Sequence, residues 1–223
     1  MSGLKWMPAQ PSQPSFLRKF LRKPWFAMLG TLLIATALQA CAPQLTPQEP
    51  CNFVMSAEQQ RVSWKIDVPV TLYLDSSVPS HFQEPIQAAI RDWNQSLGRE
   101  VLRLGGWSNR TSPGQDGANV IYFMNNWELD RSNEQARTTV FWAGSKIFEA
   151  DLRINGRDFD YFTGSTPVAG KVDLQSLVLH ELGHVLGLAH SDSGGSVMAK
   201  SLPNAYLRRT PTSSDISNMK CEY

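Results

Sequence analysis

Three of the four histidines in this 223-residue chain lie in one short run, HELGHVLGLAH, from His180 to His190. Apolar residues recur at helical spacing through this part of the chain and predict a helix over residues 172–186. Because His180 and His184 are four residues apart, their side chains should project from the same face of that helix. Two neutral imidazoles placed in this way can bind one metal ion. The pattern therefore requires a fold built around a metal site on a helix.

Gly187 is the residue at which we expect the chain to leave this helix. Glycine adopts the left-handed conformation that ends many helices without the energetic cost that a Cβ atom brings. The chain can then turn back and bring His190 to the same metal. Zinc binds imidazole nitrogen tetrahedrally, so three histidines leave one position open, as in catalytic sites. We therefore predict one catalytic zinc ion, with Glu181 as the general base that activates water.

The rest of the chain has the pattern of an α/β (α+β) fold with a mixed sheet. Helical spacing of apolar residues predicts a long helix over 79–97, ended by Gly98. Alternating or β-branched runs predict strands at 68–74, 101–104, 119–124, 138–142 and 150–154. Loops are predicted over 105–118 and 156–171, an irregular stretch over 198–211 and a short last helix over 213–220.

Residues 1–40 have the pattern of an export signal. They contain five basic groups and no acidic ones, and they end in an uncharged apolar run from Trp25 to Ala40. That run is shorter than the roughly 20 residues that a bilayer-spanning helix needs, which favours a signal peptide. The residues up to Cys41 resemble a bacterial lipobox, in which the cysteine is lipidated and becomes the mature N-terminus. An uncleaved N-terminal anchor is the alternative.

This pattern predicts an exported protein held on a bacterial membrane by the lipidated Cys41, with its domain in the periplasm or at the cell surface. The outer membrane is favoured because Ala42, and not an Asp, follows the cysteine. Residues 41–54 are rich in Pro and Gln and should form a tether, and residues 55–223 should form the catalytic domain. The chain beyond residue 40 is net acidic, so nucleic-acid binding is not expected. We expect a monomer.

Cys51 and Cys221 bracket the predicted domain almost from end to end. In an exported protein the oxidising compartment favours a disulfide between them. The alternative is that a cysteine thiolate binds the zinc and keeps the site latent.

The run from His180 to His190 resembles the signature of the metzincin zinc peptidases. Ser191, and the distance from His190 to Met198, resemble the matrixin branch, whose catalytic domains are similar to residues 55–223 in length and element order. This resemblance implies a zinc endopeptidase of proteins or peptides, with the substrate extended along the edge strand near residues 139–142. It also implies that Met198 forms an apolar floor, the Met-turn, under the histidines, and that Asp215 supports this turn.

The chain also departs from the matrixin pattern. With four histidines, the second zinc site of the family cannot be built in the usual way, and calcium binding is left open, with Asp158 and Asp160 as candidate ligands. Pro203 and Tyr206 lie farther beyond the Met-turn than the corresponding Pro and Tyr of matrixins. If they form the wall of the S1′ pocket, that pocket has a different shape.

Two other functions fit a zinc site of this type. One is a zinc-bearing surface lipoprotein that binds a partner without hydrolysis; against it, Glu181 and all three histidines are retained, whereas inactive relatives of peptidases commonly lose one of them. The other is a zinc amidase that acts on cell-wall peptides. Hydrolysis of peptides or of peptidoglycan, with and without a chelator, distinguishes the three functions.

Overall fold

Six strands form the main sheet in the computed structural model, which describes residues 2–8 and 45–223. The strands are β1 (Ser2–Pro8), β2 (Val70–Leu74), β3 (Leu102–Trp107), β4 (Val120–Met124), β5 (Ala136–Ala143) and β6 (Lys146–Asn155). Their order across the sheet is β1-β5-β6-β4-β2-β3. β5 runs antiparallel to β6, and every other neighbouring pair is parallel. The sheet is therefore mixed, as predicted.

Two long helices cover one face of the sheet, and a third, short helix follows them. α1 (Gln83–Leu97) is preceded by a 3-10 turn at Ser80–Phe82 and ends at Gly98, whose φ of 70° is the left-handed conformation expected of a terminating glycine. α2 (Leu174–Val185) packs against α1, where the fully buried Trp93 donates its indole N–H to the carbonyl of Leu179 at 2.9 Å. α3 is Ser213–Met219. All three helices were predicted, and the core lies between α1, α2 and the sheet.

Several predicted boundaries were wrong. α1 begins at Gln83 and not at residue 79, and β6 begins at Lys146 and not at residue 150. The loop predicted from residue 105 begins later, because Gly105 and the next two residues continue β3 alongside β2. The helix predicted from residue 172 begins at Leu174. Val172–Asp173 instead form a short strand, β8, which pairs with β7 (Tyr161–Phe162) inside the predicted 156–171 loop region. Asp173 then caps α2 by accepting a hydrogen bond from the backbone N–H of Ser176 at 3.0 Å, and this fixes where the helix starts.

The strand β1 was not predicted, because residues 1–40 were interpreted as a signal peptide. β1 runs parallel to the outer edge of β5, with Leu4 opposite Thr138 and Trp6 opposite Val140. The apolar run from residue 25 and the proposed lipidation site Cys41 lie outside the described residues. Within residues 2–8 and 45–223, no helix combines the length and the apolar character that a bilayer crossing requires.

Residues 51–65 and 221–223 clasp each other beside the end of α2. Cys51 and Cys221 are joined by a disulfide, with their Cα atoms 6.3 Å apart. The carboxylate of Glu222 accepts hydrogen bonds from Arg61 at 2.7 Å, from the hydroxyl of Ser63 at 2.6 Å and from Lys65 at 2.9 Å. The two ends of the domain are therefore held together both covalently and by a network of charged hydrogen bonds.

Candidate metal centre

α2 carries two of the predicted ligands and the predicted base deep inside the domain. His180 is 5% exposed, and Glu181 and His184 are fully buried. Nearly every residue of this helix is buried, because the sheet and α1 cover it on different sides. Polar side chains at such depth need partners, so their hydrogen bonds show what each group can do.

Gly187 ends the helical run and turns the chain toward the metal site. Its φ is +109°, and a Cβ atom built there would lie 2.3 Å from the carbonyl oxygen of Val62. The backbone N–H of Leu188 donates to the carbonyl of Gly183 at 2.9 Å and closes the last turn. Both the conformation and the lack of space require glycine at this position.

The turn that carries the third histidine is held by the start of the domain. Asn52 pairs twice with Ala189: its carbonyl accepts the Ala189 N–H at 2.7 Å, and its side-chain amide donates to the Ala189 carbonyl at 2.9 Å. Val54 donates its N–H to the carbonyl of Gly187 at 3.0 Å. His190 therefore enters the site from a turn that is fixed on both sides.

The three imidazoles converge on one point. One ring nitrogen from each of His180, His184 and His190 lies within 4.8 Å of the other two, and the Nε2 atoms of His184 and His190 are 3.1 Å apart. The Nδ1 atom of His180 lies 2.7 Å from the carbonyl oxygen of Val197, and that of His184 lies 2.7 Å from the carbonyl oxygen of Leu188. Because a carbonyl only accepts, each of these Nδ1 atoms carries the proton, which leaves the Nε2 lone pairs for a metal.

These residues fit a zinc ion. A tetrahedral zinc with bonds of about 2.0–2.1 Å places its ligand nitrogens roughly 3.3 Å apart, which is close to the 3.1 Å between the Nε2 atoms of His184 and His190. Burial lowers the pKa of His180 to about 3, and it also lowers the pKa values of His184 and His190. All three rings are therefore neutral at pH 7, as metal binding requires. Among the described residues, they form the one cluster of three or more metal-binding side chains.

Glu181 is held by a residue that the sequence did not reveal. Its Oε2 atom accepts a hydrogen bond from the hydroxyl of Thr138 on β5 at 2.6 Å. Its Oε1 atom is buried and has no hydrogen-bond partner among the described residues. Burial raises the pKa of this carboxyl to about 8, whereas a cation bound nearby favours the ionised form. The carboxyl group is thus anchored through one oxygen, and the other oxygen is available.

Met198 lies against the helix between the two ligands of α2. It is fully buried, and a Cβ atom added to Gly183 would lie only 2.2 Å from its sulfur atom. The absence of a side chain at Gly183 therefore makes room for Met198. Met198 therefore packs against the part of α2 that lies between His180 and His184, and its role as an apolar floor under the histidines stays a prediction.

Asp215 connects α3 to the turn that carries Met198. Its Oδ1 atom accepts a hydrogen bond from the hydroxyl of Ser196 at 2.5 Å, and its Oδ2 atom accepts from the N–H of Val197 at 3.1 Å. The carbonyl of Val197 in turn accepts from His180. Asp215 is therefore linked to the first ligand through a single residue. Ser196, which the sequence analysis did not single out, completes the link by accepting from the N–H of Met198 at 3.0 Å.

The remaining predicted residues lie at the surface. Pro203 is exposed, and Tyr206 is 46% exposed, with the guanidinium of Arg208 over its ring at 5.4 Å. Their role in an S1′ wall stays a prediction. Asp158 pairs with Arg157 at 3.2 Å and accepts a hydrogen bond from Asn155 at 3.0 Å. A calcium site that includes Asp158 and Asp160 also stays a prediction.

The sequence profile of the Matrixin family matches residues 106–223, which is just over half of the chain. The matched segment includes the three histidines, Glu181, Met198 and Asp215. A comparison with curated proteins finds no match. The family match and the convergence of three neutral imidazoles agree with each other, and the chain therefore belongs to the matrixin family of zinc metallopeptidases.

Proposed function

We propose that this matrixin is an endopeptidase that hydrolyses peptide bonds of proteins, with Glu181 as the general base. The observation that carries the proposal is the state of the Glu181 carboxyl group, which is fully buried on the same helix as two of the histidines and has one oxygen anchored and one unpartnered. When bound by the three histidines, zinc would acidify a water molecule and polarise a peptide carbonyl.

Glu181 would take the proton of the attacking water on Oε1 and pass it to the leaving amine. Burial suits this role, because it withholds solvent from the carboxylate and so raises its affinity for a proton. The histidines cannot act as bases while bound to the metal. Among the groups of the centre, Glu181 is therefore the one that can carry the proton from water to the amine.

The outer edge of β5 supports an extended substrate. β1 already lies along this edge, with Ser2–Pro8 in register with residues 136–142. The edge therefore accepts a peptide by main-chain hydrogen bonds, which is how extended segments commonly bind to sheets. A substrate lying there would replace β1 and would pass close to Thr138, the residue that contacts Glu181. Binding of this kind selects extended segments within proteins.

The exported, membrane-anchored location is also part of the proposal. The disulfide between Cys51 and Cys221 suits an oxidising compartment. Labelling cells with a fatty acid tests the anchor: we expect label on the wild-type protein and none on Cys41→Ala. Label that persists on the variant would contradict lipidation at Cys41.

The chemical proposal is tested by the Glu181→Gln variant. Its zinc content and its hydrolysis of casein and of a quenched peptide are measured, both with and without residues 1–40. We expect one zinc per chain and a kcat reduced about 1,000-fold. Glu84→Gln is the matched control, because Glu84 is an exposed residue of α1 paired with Arg91.

A Glu181→Gln variant that cleaves as fast as the wild type would overturn the assignment of the base. A wild-type protein that binds zinc but cleaves no peptide would indicate the binding lipoprotein instead. Cleavage of peptidoglycan peptides alone would indicate the amidase.

A further inference from the structure

We propose that Thr138 is a positioning residue for the hydrolysis, with its hydroxyl holding the Glu181 carboxylate so that Oε1 points to the reacting water. This inference rests on the proposed function, in which Glu181 is the base. Thr138 does not touch the reacting atoms and acts through Glu181.

The contact is short and fully enclosed. Thr138 and Glu181 are both fully buried, and the hydroxyl oxygen lies 2.6 Å from Oε2 of the carboxyl group. The same oxygen is 3.3 Å from the backbone carbonyl of Glu181. A hydroxyl has one proton to donate, and the ionised carboxylate is both the nearer and the stronger acceptor. The hydrogen bond therefore goes to the side chain of Glu181.

Thr138 is a polar residue between two apolar ones on the buried face of β5. Side chains alternate along a strand, so Ala136, Thr138 and Val140 share one face and all three are fully buried. An apolar residue would fill the middle position equally well, and a buried hydroxyl is unfavourable unless it is hydrogen-bonded. Of these three residues, the polar one is the one that contacts Glu181.

A glutamate needs such a partner to act as an oriented base. Its terminal torsion is soft, so the plane of the carboxyl group rotates easily unless something holds it. Here one oxygen is held by Thr138, and the other has no hydrogen-bond partner among the described residues. A misplacement of about 1 Å in a catalytic group can reduce the rate about 100-fold, so orientation of this carboxylate should appear directly in kcat.

If Thr138 had only a structural role, its substitution would have a different effect from the one expected for a positioning residue. If the hydroxyl only helps to dock α2 on β5, its loss lowers stability or zinc content and leaves the kcat of the zinc-loaded protein unchanged. If it orients Glu181, its loss lowers kcat while KM, zinc content and melting temperature change little.

The test uses the full chain with Thr138→Val, which keeps the shape and removes the hydroxyl, and Thr138→Ser, which restores the hydroxyl. We expect Thr138→Val to lower kcat on a quenched peptide about 10- to 100-fold, with KM within about 2-fold and one zinc per chain. Thr138→Ser should recover kcat to within about 3-fold of the wild type. Thr71→Val is the matched control, because Thr71 lies in β2, three strands from β5 in the sheet.

A Thr138→Val variant with the wild-type kcat would overturn the inference, and so would a Thr138→Ser variant as slow as Thr138→Val. If Thr138→Val fails to fold, Thr138→Ala provides the same comparison without the branched side chain. In the Glu181→Gln background, Thr138→Val should have no further effect on kcat. A wild-type protein that cleaves no peptide would overturn both the proposed function and this inference. If the enzyme is active and depends on Glu181, but Thr138→Val leaves its kcat unchanged, this inference alone would be overturned.

Discussion

Two of the regions that contain buried carboxyl groups, one on α2 and one on β6, differ in how the carboxyl oxygens are satisfied. Glu181 on α2 has one hydrogen-bonded oxygen and one unpartnered oxygen. On β6, Glu149 and Asp151 are each 1% exposed, and every one of their four oxygens accepts a backbone N–H from the segment that precedes and enters β4. Glu149 binds the N–H groups of Asp116 and Gly117, both at 2.8 Å. Burial is common to both regions, so burial alone does not identify a carboxyl group that takes part in catalysis.

The pKa values lead to the same conclusion. Burial raises the pKa of Asp151 to about 7 and that of Glu181 to about 8, so both groups would stand out in a search for perturbed acids. What distinguishes them is the unpartnered oxygen of Glu181 beside three converging imidazoles. An acid whose oxygens are all used holds a loop in place, whereas an acid with one oxygen free is able to accept a proton.

The largest expected effect is on kcat, and it should differ between two separate variants that carry the same Glu→Gln substitution, one in each region. Glu181→Gln should lower kcat about 1,000-fold and leave the domain folded, because the amide still accepts from Thr138. Glu149→Gln should keep kcat within about 2-fold of the wild type. Peptide hydrolysis by the zinc-loaded proteins measures both, and a Glu149→Gln variant as inactive as Glu181→Gln would remove the distinction between the regions.

The two regions also differ in the space that surrounds their glycines. A Cβ atom at Gly183 would lie 2.2 Å from the Met198 sulfur, whereas one at Gly114 in the bound loop meets nothing within 4 Å. Gly183→Ala should therefore lower the free energy of unfolding by about 2–3 kcal/mol and weaken zinc binding, because Met198 must move. Gly114→Ala is the matched control and should be nearly neutral. Urea denaturation and zinc titration provide the two measurements, and equal effects would contradict this packing at the metal centre.

A smaller effect is expected on the stability of the loop-binding region itself. Glu149→Gln replaces one acceptor oxygen with an amide nitrogen that cannot accept the backbone N–H of the loop. We expect a loss of about 1–2 kcal/mol in the free energy of unfolding, measured by urea denaturation. Limited proteolysis should show earlier cleavage between residues 108 and 118. Unchanged stability would mean that the loop does not depend on this carboxylate.

A further effect is expected on the pH dependence of stability. Because the pKa of Asp151 is raised from 3.8 to about 7 in the folded state, the folded protein binds this proton more tightly than the unfolded chain does. The associated stability is present below about pH 4 and is lost as the pH rises toward 7. Asp151→Asn should therefore lose less stability than the wild type between pH 4 and 7. Parallel urea curves for the two proteins across that range would contradict the raised pKa.

The sequence predicted the parts of this centre that are local in the chain. The spacing of His180 and His184 on a helix and the turn at Gly187 follow from helix geometry, and the family resemblance added Met198 and Asp215. Thr138 could not be found in this way. Its contact with Glu181 spans 43 residues and depends on which face of β5 meets α2, which the sequence of β5 alone does not determine. A polar residue between two apolar ones on the buried face was the only signal available.

The fold showed the same division between local and long-range features. The three helices and most strands were predictable from periodicity and from glycine. The boundaries that failed at β3 and at β8 depend on pairing with other strands, β2 and β7, which the local pattern does not indicate. The position of β1 along β5 is a further long-range pairing that no local pattern indicates.

The clasp between residues 51–65 and 221–223 has a consequence for when the protein becomes active during its synthesis. The turn that delivers His190 is held by Asn52, next to the disulfide, and the hydroxyl of Tyr223 donates to the carbonyl of Leu186 at 2.7 Å, at the end of α2. A growing chain that already contains all three histidines still lacks residues 221–223. We therefore expect the ligand set to become rigid only when residues 221–223 have bound residues 51–65 and Cys221 is oxidised. Folding of the domain around the centre would then precede zinc-dependent activity.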